Sequence, residues 1–156
     1  MSWDISMYDH DGELAPVTPF MGGGTVMANP DTMEEIPQVQ AEFNVTYNYS
    51  LLFDLAAKAA LYELGRDGYL IPSLARAMLE RWYQDGFRSL DDHCGWQVTD
   101  GLHLLIDQLD PGARRGGRRS WKHEDYWAPT PGNAVAALRT ILAWCEQHPG
   151  GKLTAH

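Results

Sequence analysis

Near Ser50 the spacing between apolar residues changes from every second residue to every third or fourth residue, and this change constrains the fold more than any other feature. Residues 2–8 and 41–48 alternate apolar with polar side chains, the pattern of half-buried strands. Later segments carry apolar residues at helical spacing and predict four helices, at 50–64, 72–84, 99–109 and 131–148. Strands segregated from helices predict an α+β fold, a small antiparallel sheet packed on about four helices.

Capping residues support these bounds. Ser50 is a plausible N-cap of the first helix, Pro72 suits the first turn of the second, and Thr130 followed by Pro131 opens the fourth. The predicted core stripes of the first two helices contain mostly leucine and alanine: Leu52, Leu55, Ala56, Ala59, Ala60, then Leu74, Ala75, Met78, Leu79, Trp82. Further short strands are predicted at 13–17, 25–27 and 152–155, and loops at 16–37 and 111–124.

Length and charge narrow the classes of function. A chain of 156 residues is typical of one domain, so residues 1–156 are predicted to form a single unit. The net charge of −9 disfavours non-specific nucleic-acid binding and anionic membrane surfaces. The N-terminal sequence resembles no signal peptide and no apolar run could span a membrane, so we expect a cytoplasmic protein in which Cys94 and Cys145 are free thiols.

The segment from Asn44 to Asn48 is the first candidate binding element. If it is a strand, Asn44, Thr46 and Asn48 share one face, beside Tyr47. Amides donate and accept hydrogen bonds together, which suits recognition of a heterocycle or a ribose. The alternative is that Asn48 caps the next helix and Asn44 faces water.

The second candidate is the start of the last helix. Tyr126 and Trp127 precede a helix N-terminus that includes Thr130 and Asn133. Free backbone N–H groups at such a position attract anions, and an aromatic ring beside them could stack on a base or a sugar. The alternative is that the two aromatic residues pack beneath the helix as a hydrophobic staple.

The third candidate is the basic segment 114–119, in which Arg118 and Arg119 could close over an anionic ligand. The alternatives are a solvated loop or pairing with the acidic N-terminal half. Catalytic signals are weak, since there is no GxSxG, HExxH or CxxC motif. Asp4, His123 and Asp125 are the candidate acid–base groups, and the sequence predicts no metal site and no cofactor.

Several short motifs together resemble a loose family of small uncharacterised proteins from actinobacteria and their phages. The motifs are Ser2-Trp3-Asp4-Ile5, Asn44-Val45-Thr46-Tyr47-Asn48, Asp125-Tyr126-Trp127 with Gly132-Asn133-Ala134, and Cys145-Glu146-Gln147-His148-Pro149. The resemblance covers nearly the whole chain, whereas the 114–119 segment does not belong to the pattern. It implies no catalytic residues, and its phage context favours a role in host–phage conflict.

The leading hypothesis is a non-enzymatic protein that binds a small anionic, nucleotide-like ligand. In a phage this protein would be a sponge that sequesters a host immune signal. One alternative is an enzyme acting on a nucleotide or an ADP-ribose conjugate. Another is an interaction module whose acidic half meets a basic partner. A homo-oligomer is compatible with each of these hypotheses.

Overall fold

A computed structural model describes residues 2–18, 38–66, 73–111 and 127–156. The predicted α+β fold is confirmed. The strands are β1 (Ser2–Tyr8), β2 (Pro16–Val17), β3 (Val39–Gln40), β4 (Glu42–Thr46) and β5 (Lys152–Ala155). The helices are α1 (Ser50–Arg66), α2 (Ser73–Asp85), α3 (Gly95–Leu109) and α4 (Pro131–Gln147), with 3-10 helices at Tyr47–Tyr49 and Gly86–Leu90.

The main sheet has the strand order β4-β1-β5, and both pairings are antiparallel. In its register Asp4 lies opposite Asn44, and Ser6 lies between Glu42 and Thr154. Alternate residues of each strand are buried because the helices pack on one face of the sheet. The buried members of that face include Ile5, Met7, Val45, Leu153 and Ala155.

The connection between α4 and β5 packs against the start of α3. The backbone N–H groups of Gly95 and Trp96 donate to the carbonyl oxygens of Gly151 and Pro149, each at 2.9 Å. These bonds satisfy two donors that the first turn of a helix otherwise leaves unpaired. No helix among the described residues has both the length and the apolar character needed to cross a membrane.

The predicted strand 41–48 is too long. Thr46 instead caps a 3-10 helix, because its hydroxyl oxygen accepts a hydrogen bond from the backbone N–H of Asn48 at 3.3 Å. Tyr47 and Asn48 therefore lie outside the strand. The predicted strand 13–17 shortens to β2, which also lies inside the predicted loop 16–37 and pairs with β3.

The third helix begins four residues before the predicted position 99. Cys94 and Gln97 form a reciprocal capping box, in which the backbone N–H of Cys94 donates to Gln97 Oε1 at 2.8 Å. Leu55 and Leu74, both predicted to face the core, are instead exposed. The buried stripe of α1 is rotated from the predicted one and includes Phe53 and Ala57, whereas that of α2 lacks only Leu74. The predicted strand 25–27 and residues 112–124 of the predicted loop lie outside the described residues.

Candidate ligand-binding site

The end of β4 and the start of α4 meet in the fold. The side chain of Asn48 donates a hydrogen bond from Nδ2 to the backbone oxygen of Trp127, at 3.0 Å. The two segments lie 79 residues apart in the chain, so this contact is tertiary. We call the region formed by Asn48, Trp127, Thr130 and Asn133 the α4 corner.

Much of the polar capacity of the α4 corner is used within the protein. Thr130 Oγ1 accepts a hydrogen bond from the backbone N–H of Asn133 at 3.3 Å, and Asn133 Nδ2 donates to Ala128 O at 3.0 Å. Asn133 is buried, whereas Trp127 is 57% exposed. The amide and hydroxyl groups therefore hold the corner in shape, and the Trp127 indole is its exposed surface.

Asn44 belongs to a different surface. Its Nδ2 atom lies 2.7 Å from both Ser2 Oγ and Asp4 Oδ1, on the polar face of the sheet. Thr46 is buried, and Asn48 has left the strand. The predicted row of three polar side chains on one strand face is therefore wrong. Asp4, a candidate base, accepts the Asn44 amide hydrogen bond.

Other predicted functional residues cannot be placed. Arg118, Arg119 and Tyr126 lie outside the described residues, as do the candidate acid–base groups His123 and Asp125. Their predicted roles stay predictions.

A second candidate region is an aromatic cavity of about 260 Å³. It forms at the end of α2. Directly after Asp85, Gly86 has a φ of +54° and turns the chain into the second 3-10 helix. Only glycine adopts this left-handed backbone conformation without a steric penalty. Residues from β1, α1, α2 and this 3-10 helix line the cavity: Trp3, Ser50, Phe53, Asp54, Trp82, Tyr83, Gln84, Asp85, Gly86, Phe87 and Arg88.

Three mutually packed aromatic rings contribute to the wall of the cavity. The ring centroids of Trp82 and Phe87 are 4.9 Å apart, those of Phe53 and Phe87 are 5.1 Å apart, and those of Phe53 and Trp82 are 5.9 Å apart. All three contacts are edge-to-face, the arrangement favoured by the ring quadrupoles. All three side chains are almost fully buried, so they form a close-packed aromatic cluster at the cavity.

Charged groups stand near the same cavity. The Arg88 guanidinium lies 5.8 Å from the centroid of the Trp3 ring, and Lys58 Nζ lies 4.4 Å from that of Tyr83. Burial raises the pKa of the Asp54 carboxyl, while the charge of Lys58 opposes this shift. Two cations and the carboxylates of Asp54 and Asp85 thus accompany an otherwise aromatic site.

The cavity and the α4 corner are structurally linked. The ring centroids of Trp3, in the cavity wall, and Tyr47 are 4.9 Å apart, and Tyr47 directly precedes Asn48. A predicted binding residue therefore contacts the cavity wall. Sequence reasoning missed the cavity because its residues come from four elements. The aromatic residues on both sides of Asp85-Gly86 were the signal that could have indicated it.

A possible metal position lies elsewhere. Asp9, His10 and Asp11 place three potential ligand atoms within 4.8 Å of one another in an exposed turn. Asp9 Oδ1 already accepts hydrogen bonds from the backbone N–H groups of Asp11 and Glu13, at 2.9 and 3.1 Å. These bonds explain the arrangement as turn structure.

No protein-family model, no curated protein and no solved structure matches the chain. The resemblance to actinobacterial and phage proteins therefore stays a prediction. Function must be inferred from the geometry of the site.

Proposed function

We propose that the protein binds a small nucleotide-like molecule without converting it. The planar heterocycle enters the aromatic cavity, and the anionic group stays outside, near Arg88. The observation that supports this proposal best is an aromatic-lined hollow with a guanidinium group among its lining residues.

The size of the cavity favours one ring system. Ligand pockets commonly measure roughly 300–1,000 Å³, so a cavity of about 260 Å³ suits a base better than a whole nucleotide. Stacking on an aromatic side chain contributes roughly 1–3 kcal/mol for each base. The sugar and the phosphate would then lie at the surface.

The two cations at the cavity already occupy positions over its aromatic rings. Aromatic cages for ammonium groups leave their ring faces available to the ligand, whereas here Arg88 stands over Trp3 and Lys58 stands over Tyr83. Arg88 is the one cationic side chain among the described lining residues, so an anionic group of the ligand would bind on its side of the cavity. The Asp54 and Asp85 carboxylates can accept hydrogen bonds from exocyclic amino groups of a base.

Binding without conversion is sequestration. The described lining residues include no histidine and no cysteine, the residues that most often act as base or nucleophile. A protein that holds a nucleotide signal and returns it unchanged would lower the free concentration of that signal. In a phage, this property is what a sponge for a host immune messenger requires.

Thermal-shift screening followed by titration calorimetry tests the proposal. The panel contains AMP, GMP, CMP, UMP, cyclic nucleotides and ADP-ribose, and we expect at least one of them to raise the melting temperature. Mass spectrometry of the ligand released on denaturation should recover it unchanged. If no member of the panel binds, the proposal is wrong. Conversion of the ligand would instead favour the enzyme hypothesis.

Variants locate the site. Arg88→Ala should weaken nucleotide binding roughly 10- to 100-fold, the usual contribution of a hydrogen bond to a charged group. Arg76→Ala is the matched control, because Arg76 is exposed on α2 and is not among the cavity-lining residues. If Trp127→Ala abolishes binding and Arg88→Ala does not, the ligand occupies the α4 corner instead.

A further inference from the structure

We infer that the indole N–H of Trp82 is a specificity-determining donor that recognises a hydrogen-bond acceptor on the heterocycle. This inference rests on the proposed function, because it concerns the same cavity. It adds a chemical requirement to the ligand class: the ring must carry an acceptor in its own plane, such as a ring nitrogen or a carbonyl oxygen.

Trp82 has an unusual environment for a buried tryptophan. The residue is fully buried, and its Nε1 atom has no hydrogen-bond partner among the residues that the structure describes. Buried polar groups in native proteins are almost always paired, so an unpaired donor needs an explanation. Trp82 is among the residues that line the aromatic cavity, so a ligand ring that separates the closely packed side chains around Nε1 can provide the missing acceptor.

The neighbouring rings offer a competing explanation. Phe53 and Phe87 both meet Trp82 in edge-to-face contacts. An indole N–H directed at the face of a phenyl ring makes a weak hydrogen bond. In that case Trp82 would serve only to pack the aromatic cluster, and the nature of the ligand ring would not matter.

A requirement for an acceptor on the ligand also explains how the site would discriminate between ligands of similar shape. A pocket with a buried donor strongly rejects analogues that cannot satisfy it, whereas an apolar pocket discriminates weakly between rings of similar shape. To reach the buried Nε1 atom, the ring must enter between the walls. Purine and pyrimidine bases meet the requirement, and a plain phenyl ring does not.

The experiment compares two kinds of ligand in two proteins. AMP, GMP, CMP and UMP carry ring acceptors, whereas benzyl phosphate keeps a flat ring and an anionic group but has no ring acceptor. Calorimetry measures each with the wild-type protein and with Trp82→Phe, which removes the N–H and keeps an aromatic ring. We expect Trp82→Phe to weaken binding of the best nucleotide about tenfold, the typical contribution of one such bond, and to change benzyl phosphate affinity little.

Indole spectra give an independent readout. In a nitrogen-15 correlation spectrum, the Trp82 signal is the indole resonance that disappears in Trp82→Phe. It should shift when the nucleotide binds and stay in place with benzyl phosphate. If Trp82→Phe lowers the calorimetric affinity equally for the nucleotide and for benzyl phosphate, or lowers it for neither, the inference is overturned while the proposed function stays intact. Failure of every member of the thermal-shift panel to bind the wild-type protein would overturn both.

Discussion

Gly95→Ala should destabilise the protein because the start of α3 lies directly against the end of α4. A methyl group built on Gly95 would lie 2.9 Å from His148 O, 3.0 Å from Cys145 Cα and 3.2 Å from Cys145 Cβ. The closest contacts are with backbone atoms, which cannot move aside as the end of a flexible side chain can. The same turn also receives the Gly95 and Trp96 hydrogen bonds, so a local displacement would strain them.

The size of the effect follows from these distances. The shortest contact is roughly half an ångström closer than ordinary van der Waals contact, and overpacking of a well-packed site costs about 1–3 kcal/mol. Alanine regains up to about 1 kcal/mol of helix propensity in a helix interior, and less at the first helical position. We therefore expect a net loss of about 2 kcal/mol, which lowers the melting temperature of a domain of this size by about 4–8 °C.

Gly65→Ala is the matched control. Gly65 lies in the last turn of α1, and a methyl group there would have no atom of the described residues within 4 Å. This variant should gain up to about 0.5 kcal/mol through helix propensity and lower entropy of the unfolded chain. Urea unfolding and thermal melts followed by circular dichroism measure both variants. Equal stability of Gly95→Ala and the wild type would refute the packing geometry at the α3 start.

Three further predictions concern buried and titratable groups. Burial, with a smaller contribution from the neighbouring Glu146, raises the pKa of the Cys145 thiol to about 12. Iodoacetamide at pH 8 should therefore modify the partly exposed Cys94 first. Mass spectrometry measures the order of modification, and early modification of Cys145 would contradict it. Asp110 is buried, and its Oδ2 atom lies 3.2 Å from Arg139 Nη2. Asp110→Asn should lower the free energy of unfolding, measured in urea, by about 3 kcal/mol, because Arg139 loses the negative charge of this partner. Burial raises the pKa of Asp54. Its contribution to stability is therefore greatest below the unfolded-state pKa and is lost as pH rises through the higher folded-state pKa. The stability of Asp54→Asn relative to the wild type should increase above about pH 4, and a constant difference from pH 3 to pH 7 would contradict the shift.

Local signals were sufficient where one segment carries the whole pattern. The start of α4 was predictable because Thr130 is a favoured N-cap and Pro131 suits the first helical position. The strand at 152–155 was predicted with the bounds of β5. The start of α3 was missed because its N-cap is Cys94, a residue outside the usual capping set, and the Gln97 side chain completes the box.

Tertiary packing decides what local patterns leave open. Leu55 satisfies helical spacing but is exposed, because α1 turns Phe53 and Ala57 toward the core instead, and apolar residues on more than one side of this helix leave its orientation open. The partner of Asn48 is the backbone oxygen of Trp127, which no local pattern could identify. Trp3 and Trp82 lie far apart in the sequence but line the same aromatic cavity, and only the folded topology brings them together.

Stability and binding make opposite demands on the aromatic cavity. Protein interiors are normally close-packed, and larger side chains at its margin, such as at Ser50, would reduce a hollow of about 260 Å³. The Trp82 N–H, which has no partner in the described part of the chain, and the left-handed Gly86 are two more departures from the most stable arrangement, and both residues line the same hollow. Such departures concentrate at functional sites, where a ligand or a required geometry compensates for them. Their coincidence around one cavity is the reason that the binding role we propose is assigned to it.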